Sequence, residues 1–575
     1  MADTKHDILE MLEELSTLTT LDEGDVQSFK VRAYESASRG IESYVGDVDK
    51  LTVTELQKLD GIGKSTAGKI RELLDTGKVS KLVELREKFP ASVVGLMKIP
   101  GIGPKAVLKL RAELGINSVD DLRKAIADQK LRSIKGFGAK TEEKLQQTLT
   151  RMDANGADRT PISVALPLAE RMVATLSAMP GVTFAGFCGS LRRFSETIGD
   201  IDLLVVAADS KPIMDAVVAM TFVDQIIVKG DTKTSVITRR GIQIDVRVVK
   251  AEQLGAALLY FTGSKAHNIK LRMRAIARGW TLNEYALAEA VGGKVIASET
   301  EEAIYEALGL PFIPPVLRED GGEIELAEKG SLPPAFGALL GDFHVHTNVS
   351  GDGRSPIEDV IAAARARGYR VLAITDHAEG TVSGVGREAL IEQREKIRAL
   401  QAQLTDLTIL HGAELNIGSD GQLDYDAEFR AQFDFCLASV HDHFDLSREQ
   451  QTRRVVNAMR DPSVKMIGHL SARMIGGRPG IELDIDAIFD AAEETGTALE
   501  INGGLPRLDV SVDVLRRARD RKVNFVFTSD AHHSTELERV RFATLNAQRA
   551  MLPPNRVINT WDKSRLLNWA RNKAS

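Results

Sequence analysis

At 575 residues the chain is too long for one ordinary core, so two or more domains are expected. A hydrophobic fraction of 43% with 27% charged residues describes a soluble globular protein, and no stretch approaches membrane-spanning length. The two cysteines, Cys188 and Cys436, exclude a disulfide framework. With an N-terminus lacking a signal-type apolar run, they lead us to expect a cytoplasmic protein with no membrane partner. The net charge of −7 argues against nucleic acid only until its distribution is read: residues 51–150 hold 19 basic and 12 acidic residues, the first fifty 5 and 12. The basic excess suits a phosphate backbone, although charge counts alone fit an ordinary solvated face equally well.

Within that basic segment three stretches share a pattern: Leu-Asp-Gly-Ile-Gly-Lys (59–64), Ile-Pro-Gly-Ile-Gly-Pro (99–104) and Ile-Lys-Gly-Phe-Gly-Ala (134–139). Each sets an apolar residue between two glycines and then enters a helical pattern with lysines, among them Lys64, Lys69, Lys105 and Lys140. Residues 1–150 therefore read as helical, with turns at Gly61, Gly63, Gly101, Gly103, Gly136 and Gly138. One such turn would be a mere helix connection; three in a basic segment point to contacts with DNA phosphates.

From about residue 160 strands are expected at Val182–Phe187, Ile201–Val206, Val236–Thr238 and Ile242–Val249, with helices between them. Gly189-Ser190-Leu191-Arg192-Arg193 is followed by Gly199-Asp200-Ile201-Asp202. Asp200 and Asp202, at i and i+2 of a strand, project from one face, and Asp245 lies in a later strand. Three carboxylates at one sheet edge can hold two magnesium ions, which suits nucleotidyl transfer; Ser190 and Arg193, beside permissive glycines, would bind a triphosphate. An isolated Asp-x-Asp is more often a solvated pair, but the Gly-Ser-x-Arg-Arg cradle ten residues upstream makes that account poor.

Together with Tyr260-Phe261-Thr262-Gly263-Ser264, Asn268, Arg272 and Leu282-Asn283-Glu284-Tyr285, these residues resemble the family X DNA polymerases over about 1–310. The resemblance implies a catalytic and metal-binding triad of Asp200, Asp202 and Asp245 with two Mg2+ or Mn2+ ions. It implies a nucleotide pocket from Gly189, Ser190, Arg193, Gly199, Tyr260, Phe261, Gly263, Asn268 and Arg272. The glycine repeats look like helix-hairpin-helix motifs, which hold DNA often through Na+ or K+. The family's lyase lysine falls on Lys69, with Tyr34 as neighbour, although the acidic first fifty residues depart from a strongly basic lyase domain.

Residues 311–340, with Pro311, Pro314, Pro315, Gly321, Gly322, Pro333 and Pro334, read as a linker. Beyond it, apolar runs at 341–346, 370–376, 407–414, 434–440, 464–468, 497–502 and 523–529 alternate with helical patterns, which argues for a parallel barrel. Nine of the eleven histidines lie between His344 and His533, and ligand-type residues end nearly every run: His344 and His346, Asp376 and His377, Glu414, His441, His469, Asn502, Asp530 and His532. Strand ends converge on one barrel face, so a site suited to Mn, Zn or Fe is expected there.

This half resembles the polymerase-and-histidinol-phosphatase (PHP) domain, which implies a ligand set of His344, His346, Asp352, His377, Glu414, His441, His469, Asp530 and His532 for up to three Mn2+ or Zn2+ ions. Gly351 is an extra residue before Asp352 relative to the family pattern. The resemblance implies metal-assisted phosphoester hydrolysis, a 3′→5′ exonuclease in bacterial enzymes of this joint type, with abasic-site or 3′-phosphate hydrolysis open to the same centre. Arg473 and Arg507 are candidates to steer phosphate, and His443 and His533, beside ligands, are candidates to support those ligands or to donate protons.

The expected architecture is multidomain, α+β and α/β. A helical helix-hairpin-helix N-terminal region covers 1–85 (lyase-like) and 86–155 (DNA-binding fingers), and a nucleotidyltransferase palm with a mixed sheet covers 156–250. A thumb-like nascent-base-pair subdomain at 251–315 and a linker at 316–336 lead to a distorted (β/α)7 PHP barrel at 337–575. The implied function is gap-filling DNA polymerase in base excision repair with a PHP exonuclease, acting on gapped or nicked DNA and deoxynucleoside triphosphates as a bacterial, nucleoid-associated monomer. The rival readings are a phosphoesterase whose polymerase half only places DNA, and a non-catalytic DNA-end scaffold.

Overall fold

The structure, a computed structural model, describes residues 4–25, 28–44, 48–97, 99, 102–134, 136–154 and 159–571. The chain forms two compact units, one over 1–158 and one over 159–238 and 242–575, with the turn 239–241 grouped with the first.

The first unit is helical from Thr4–Glu23 to Ala139–Ala154. One core runs through it from Ile8 to Leu149, so the segments expected at 1–85 and 86–155 share their buried side chains. The three repeats fold alike. The apolar residue between the glycines is buried in each case (Ile62, Ile102, Phe137), and its amide donates to the carbonyl three residues back, at Leu59, Ile99 and Ile134. Gly61 takes φ 71°, and a Cβ there would stand 2.5 Å from the Ser36 carbonyl oxygen, so only glycine closes this turn. Helices Lys64–Thr76 and Pro104–Leu114 start at Gly63 and Gly103 with no side-chain cap, leaving their first amides open; Gly136 takes φ 97° and Gly138 precedes the last helix. Gly101 lies outside the described residues.

The second unit begins with a five-stranded palm sheet: β1 (Val182–Phe187), β2 (Asp200–Ala207), β3 (Val223–Lys229), β4 (Lys233–Thr238) and β5 (Gln243–Val249). Its order is β1-β2-β5-β4-β3, and only the β2/β5 pair is parallel, so the sheet is mixed. Edge strand β3 escaped the sequence reading because nearly all of it is exposed and no apolar alternation marks it. A smaller antiparallel sheet of three short strands follows at Trp280–Leu282, Leu287–Glu289 and Val295–Ala297.

The barrel consists of β6 (Gly341–Asp342), β7 (Val371–Ile374), β8 (Thr408–Asn416), β9 (Phe435–Ser439), β10 (Val464–Ile467), β11 (Ala498–Asn502) and β12 (Phe525–Thr528), all parallel and paired in sequence order. A bridge from Val345 to Ala531 nearly closes the ring. Strands such as Val371–Ile374 and Phe525–Thr528 are buried throughout, as the core strands of a helix-wrapped parallel barrel must be.

Residues 316–336 are not a free connector. Val316, Leu317, Ile324 and Ala327 sit in the palm core, which also takes in Leu508, Phe542 and Met551 from the barrel half. Proline and glycine there set turns, Pro315–Leu317 and Gly322 at φ 93°, without exposing the chain. Glu323, 1% exposed, accepts from His267 Nδ1 at 2.6 Å, while His267 Nε2 lies 2.7 Å from the Tyr305 hydroxyl. Glu323→Ala strands a buried imidazole and is expected to cost about 2 kcal/mol, read as a fall in Tm; an unchanged Tm would mark the segment as passive.

Candidate metal centres

The palm site is built by register. In the parallel β2/β5 pair Asp202 stands opposite Asp245 and Asp200 opposite Gln243, so the three aspartates share one face. Burial, then Asp200 and Asp245, push the Asp202 carboxyl up to about 7. Asp245 is pulled toward Lys233 (Nζ to Oδ2, 2.8 Å) and Gln243 (Nε2 to Oδ1, 3.1 Å). The three carboxylates are not among the described donor groups gathered within 4.8 Å of one another. They nonetheless fit divalent cations, because their crowded negative charge is only partly countered by protein. Gly189, at φ 62°, comes so close that a Cβ would stand 2.7 Å from Asp202 Oδ2.

Around this face, Ser190 lies on the short helix Gly189–Arg192, with Arg193 at its end and Gly199 leading into β2. Arg193 Nη1 donates to the Thr262 carbonyl at 2.6 Å and Nε to Glu319 at 2.9 Å. Tyr260 and Phe261 end helix Leu254–Thr262 with rings edge to face at 5.0 Å, and Gly263 takes φ 69°. On the next helix, Asn268 Nδ2 donates to the Tyr260 carbonyl at 2.8 Å and the Arg272 guanidinium lies 5.4 Å from the Tyr260 ring. Arg192, unremarked in the sequence beyond its motif, pairs with buried Glu301, which also holds fully buried Arg318.

At the barrel mouth three groups of donors converge: His346, Asp352, His377 and His532; His344, His346 and Asp530; and His377, Glu414 and His441. His346 and His377 each belong to two groups. Glu414 reaches five imidazoles: His377 Nδ1 at 2.9 Å, His469 Nε2 at 3.0 Å, His344 and His441 at 3.2 Å and His346 at 3.5 Å. Burial would raise the Glu414 carboxyl, but the imidazoles of His344, His377 and His441 hold it well below the usual range. His344 Nε2, His346 Nε2, His441 Nε2 and Glu414 Oε2 are buried without hydrogen-bond partners, an arrangement too costly to keep unless cations take those lone pairs. The extra Gly351 is accommodated: its amide donates to the Ser383 carbonyl at 3.1 Å. Asp352 still arrives 3.3 Å from His377 and 3.4 Å from His532.

The sequence reading missed Glu500. Fully buried in β11, it accepts from His344 Nδ1 at 2.6 Å and Thr528 Oγ1 at 2.6 Å, and from the His469 amide. A glutamate two residues before Asn502 in an otherwise apolar run was the available signal. Asp376 is likewise an organiser: its carboxylate takes the Thr347 amide and hydroxyl, both at 2.7 Å, and so fixes the turn after His346.

One expectation changes. Arg473 is not free to steer phosphate, because its guanidinium grips Glu196 at 2.8 and 3.0 Å and the carbonyls of Arg507 and Leu508. His533 caps the 3-10 turn Ser534–Arg539 with Nδ1 toward Thr535. His443 instead holds a left-handed turn, its carbonyl accepting from Gln451 Nε2. Arg507 does face the centre, its Nε 3.4 Å from Asp530 Oδ2.

A palm carrying an aspartate triad and a barrel carrying a histidine-rich donor ring together define a two-centre phosphoryl-transfer enzyme. The chain matches the families described as helix-hairpin-helix domain (residues 3–79), SAM-like helix-hairpin-helix tandem (94–151), DNA polymerase beta thumb (257–319) and PHP domain (342–504). It is 34% identical to the DNA polymerase/3′-5′ exonuclease PolX of Bacillus subtilis (strain 168), over 96% of this chain and 97% of that protein. Over 51% of the chain and 54% of the relative it is 26% identical to DNA polymerase lambda of Rattus norvegicus. A "probable phosphatase" of Acetivibrio thermocellus is 30% identical over 38% of the chain and 90% of its own length. The chain belongs to the family X DNA polymerases that carry a C-terminal PHP domain.

Glu500 fixes the ring of His344 through Nδ1 and leaves Nε2 for an ion. Glu500→Gln is expected to weaken divalent-metal binding at the barrel about 10- to 100-fold in competition with a chelator, with primer extension intact. Unchanged affinity would remove Glu500 from the centre.

Proposed function

We propose that the chain is a template-directed, gap-filling DNA polymerase of base excision repair, with a 3′→5′ exonuclease in its barrel. The observation that carries the reading is the register of Asp202 against Asp245 beside Asp200, with Gly189 pressed onto Asp202. Asp200, Asp202 and Asp245 would hold two Mg2+ or Mn2+ ions, which, when bound, activate a primer 3′-hydroxyl and neutralise the departing pyrophosphate. Ser190, Arg193 and the amides at Gly189 bind the triphosphate. Tyr260, Phe261 and Gly263 line the sugar side of the pocket, and Asn268 and Arg272 flank the new base pair. Gapped or nicked DNA is gripped by the open amides at Gly63 and Gly103, with Na+ or K+ as an intermediary, and without base readout.

In the barrel, His344, His346, Asp352, His377, Glu414, His441, His469, Asp530 and His532 would hold up to three Mn2+ or Zn2+ ions, which supply Lewis acidity toward a phosphoester and its attacking water. Glu414 joins the donor groups, Glu500 orients His344, and Arg507 is placed to meet a phosphate oxygen. The same centre suits 3′-phosphate and abasic-site phosphodiesters, in keeping with the phosphatase-type relative.

Asp200→Ala with Asp202→Ala is expected to lower primer extension on gapped DNA at least a thousandfold and to leave 3′ degradation intact; His344→Ala with His346→Ala should do the opposite. Extension surviving the first pair would overturn the polymerase assignment. If extension is negligible in the unaltered protein, the phosphoesterase reading takes its place.

A lyase step by Lys69 belongs to the same reading. Its Nζ lies 2.7 Å from Ser65 Oγ and 5.7 Å from the Tyr34 ring centre, and burial lowers its pKa, favouring the free amine that a Schiff base needs. Borohydride trapping of incised abasic DNA should be lost in Lys69→Ala; trapping that persists excludes Lys69.

A further inference from the structure

The loop that follows the phosphate cradle is engaged residue by residue. Arg193 Nε donates to Glu319 Oε1 at 2.9 Å, and Ser195 Oγ lies 3.5 Å from the same oxygen. Phe194, in the left-handed region at φ 57°, stacks on Phe542 with ring centres 5.7 Å apart. Glu196 holds Arg473. From the barrel half, Arg549 Nη2 approaches Glu319 Oε1 at 3.5 Å. Arg549 ends the helix Val540–Arg549, which lies against β11 and β12; its side chain is 11% exposed and its Nε has no hydrogen-bond partner.

One carboxylate oxygen thus stands between two guanidinium groups, tightly on Arg193 and loosely on Arg549. Arg193 has two demands on it, because a triphosphate and Glu319 are both anions that compete for its donors. If nucleotide takes Arg193, Glu319 loses its closer partner while remaining mostly buried, and a buried carboxylate without a partner is costly. Arg549 is the group in place to receive it, with an unused donor already at hand.

Resting on the reading of Arg193 as a triphosphate ligand, we propose that Glu319 is a shared counter-charge handed from Arg193 to Arg549 as nucleotide binds. Arg549, a barrel-half residue, is thereby a positioning residue for the polymerase pocket. The PHP-bearing half contributes to nucleotide affinity without touching the nucleotide.

The test is steady-state kinetics of single-nucleotide filling on gapped DNA, with exonuclease activity and Tm reporting an intact fold. Arg549→Met should raise the KM for nucleotide about tenfold with kcat within about twofold, and Arg549→Lys should restore most of the affinity. Glu319→Gln, which frees Arg193, should leave KM unchanged or lower. The double variant should behave like Glu319→Gln, because no carboxylate is left to strand. A KM unmoved by Arg549→Met overturns the proposal, as does a double variant as impaired as Arg549→Met alone. If Arg549→Met does not fold, the double variant decides: a KM raised about tenfold above that of Glu319→Gln overturns the proposal, and a KM equal to that of Glu319→Gln upholds it. Arg193→Ala separates the two levels: no rise in KM refutes the underlying reading, whereas a rise there with none in Arg549→Met refutes only the hand-over.

Discussion

In a parallel ladder, residues at matching register stand side by side on one face, and both centres depend on that constraint. The palm has a single parallel pair in an otherwise antiparallel sheet, and that pair brings Asp202 to Asp245. The barrel repeats the arrangement around a ring: strands that run one way end at one mouth, so imidazoles and carboxylates separated by up to 188 positions, from His344 to His532, meet there. Antiparallel pairing would scatter these side chains to opposite ends. The fold thus assembles two concentrations of like-charged and lone-pair donors that cations can relieve.

The groups most legible in the sequence are those whose partners are close along the chain. Asp200 with Asp202, His344 with His346 and Asp530 with His532 each occupy i and i+2; strand geometry puts the first pair on one face, and the other two pairs flank the Val345–Ala531 bridge just past their strand ends. Apolar runs marked all seven barrel strands because parallel strands covered on both faces are mostly apolar, with the polar exceptions gathered toward the site. Glu319 was not legible, because its role rests on Arg193 and Arg549, far away along the chain; Glu500 stood out as a charge in its run, but its partner His344 did not, and Lys233 meets Asp245 only through the pairing of two strands. The stretch 316–336 was misjudged for a different reason. Proline and glycine report backbone direction, and its apolar Val316, Leu317 and Ile324 reported burial more faithfully.

Position along the chain also misled the reading of the arginines. Arg473 and Arg507 look equivalent on loops after His469 and Asn502, yet one is consumed by Glu196 and the other stays at Asp530. Guanidinium groups are placed by whichever carboxylate the fold brings near, and only tertiary packing decides that.

The palm core is completed by Leu508, Phe542 and Met551, side chains that the sequence supplies more than two hundred positions after Leu271 and Ala275, which belong to the same cluster. The barrel keeps apolar clusters of its own, but the palm core is not sealed without side chains from the barrel half. Shearing one from the other would open an oily seam on both, so gene shortening that keeps only the synthetic or only the degradative half would have to repaint that seam with polar residues first. A shared interior in this way ties the inheritance of two chemistries together, whatever the separate usefulness of each.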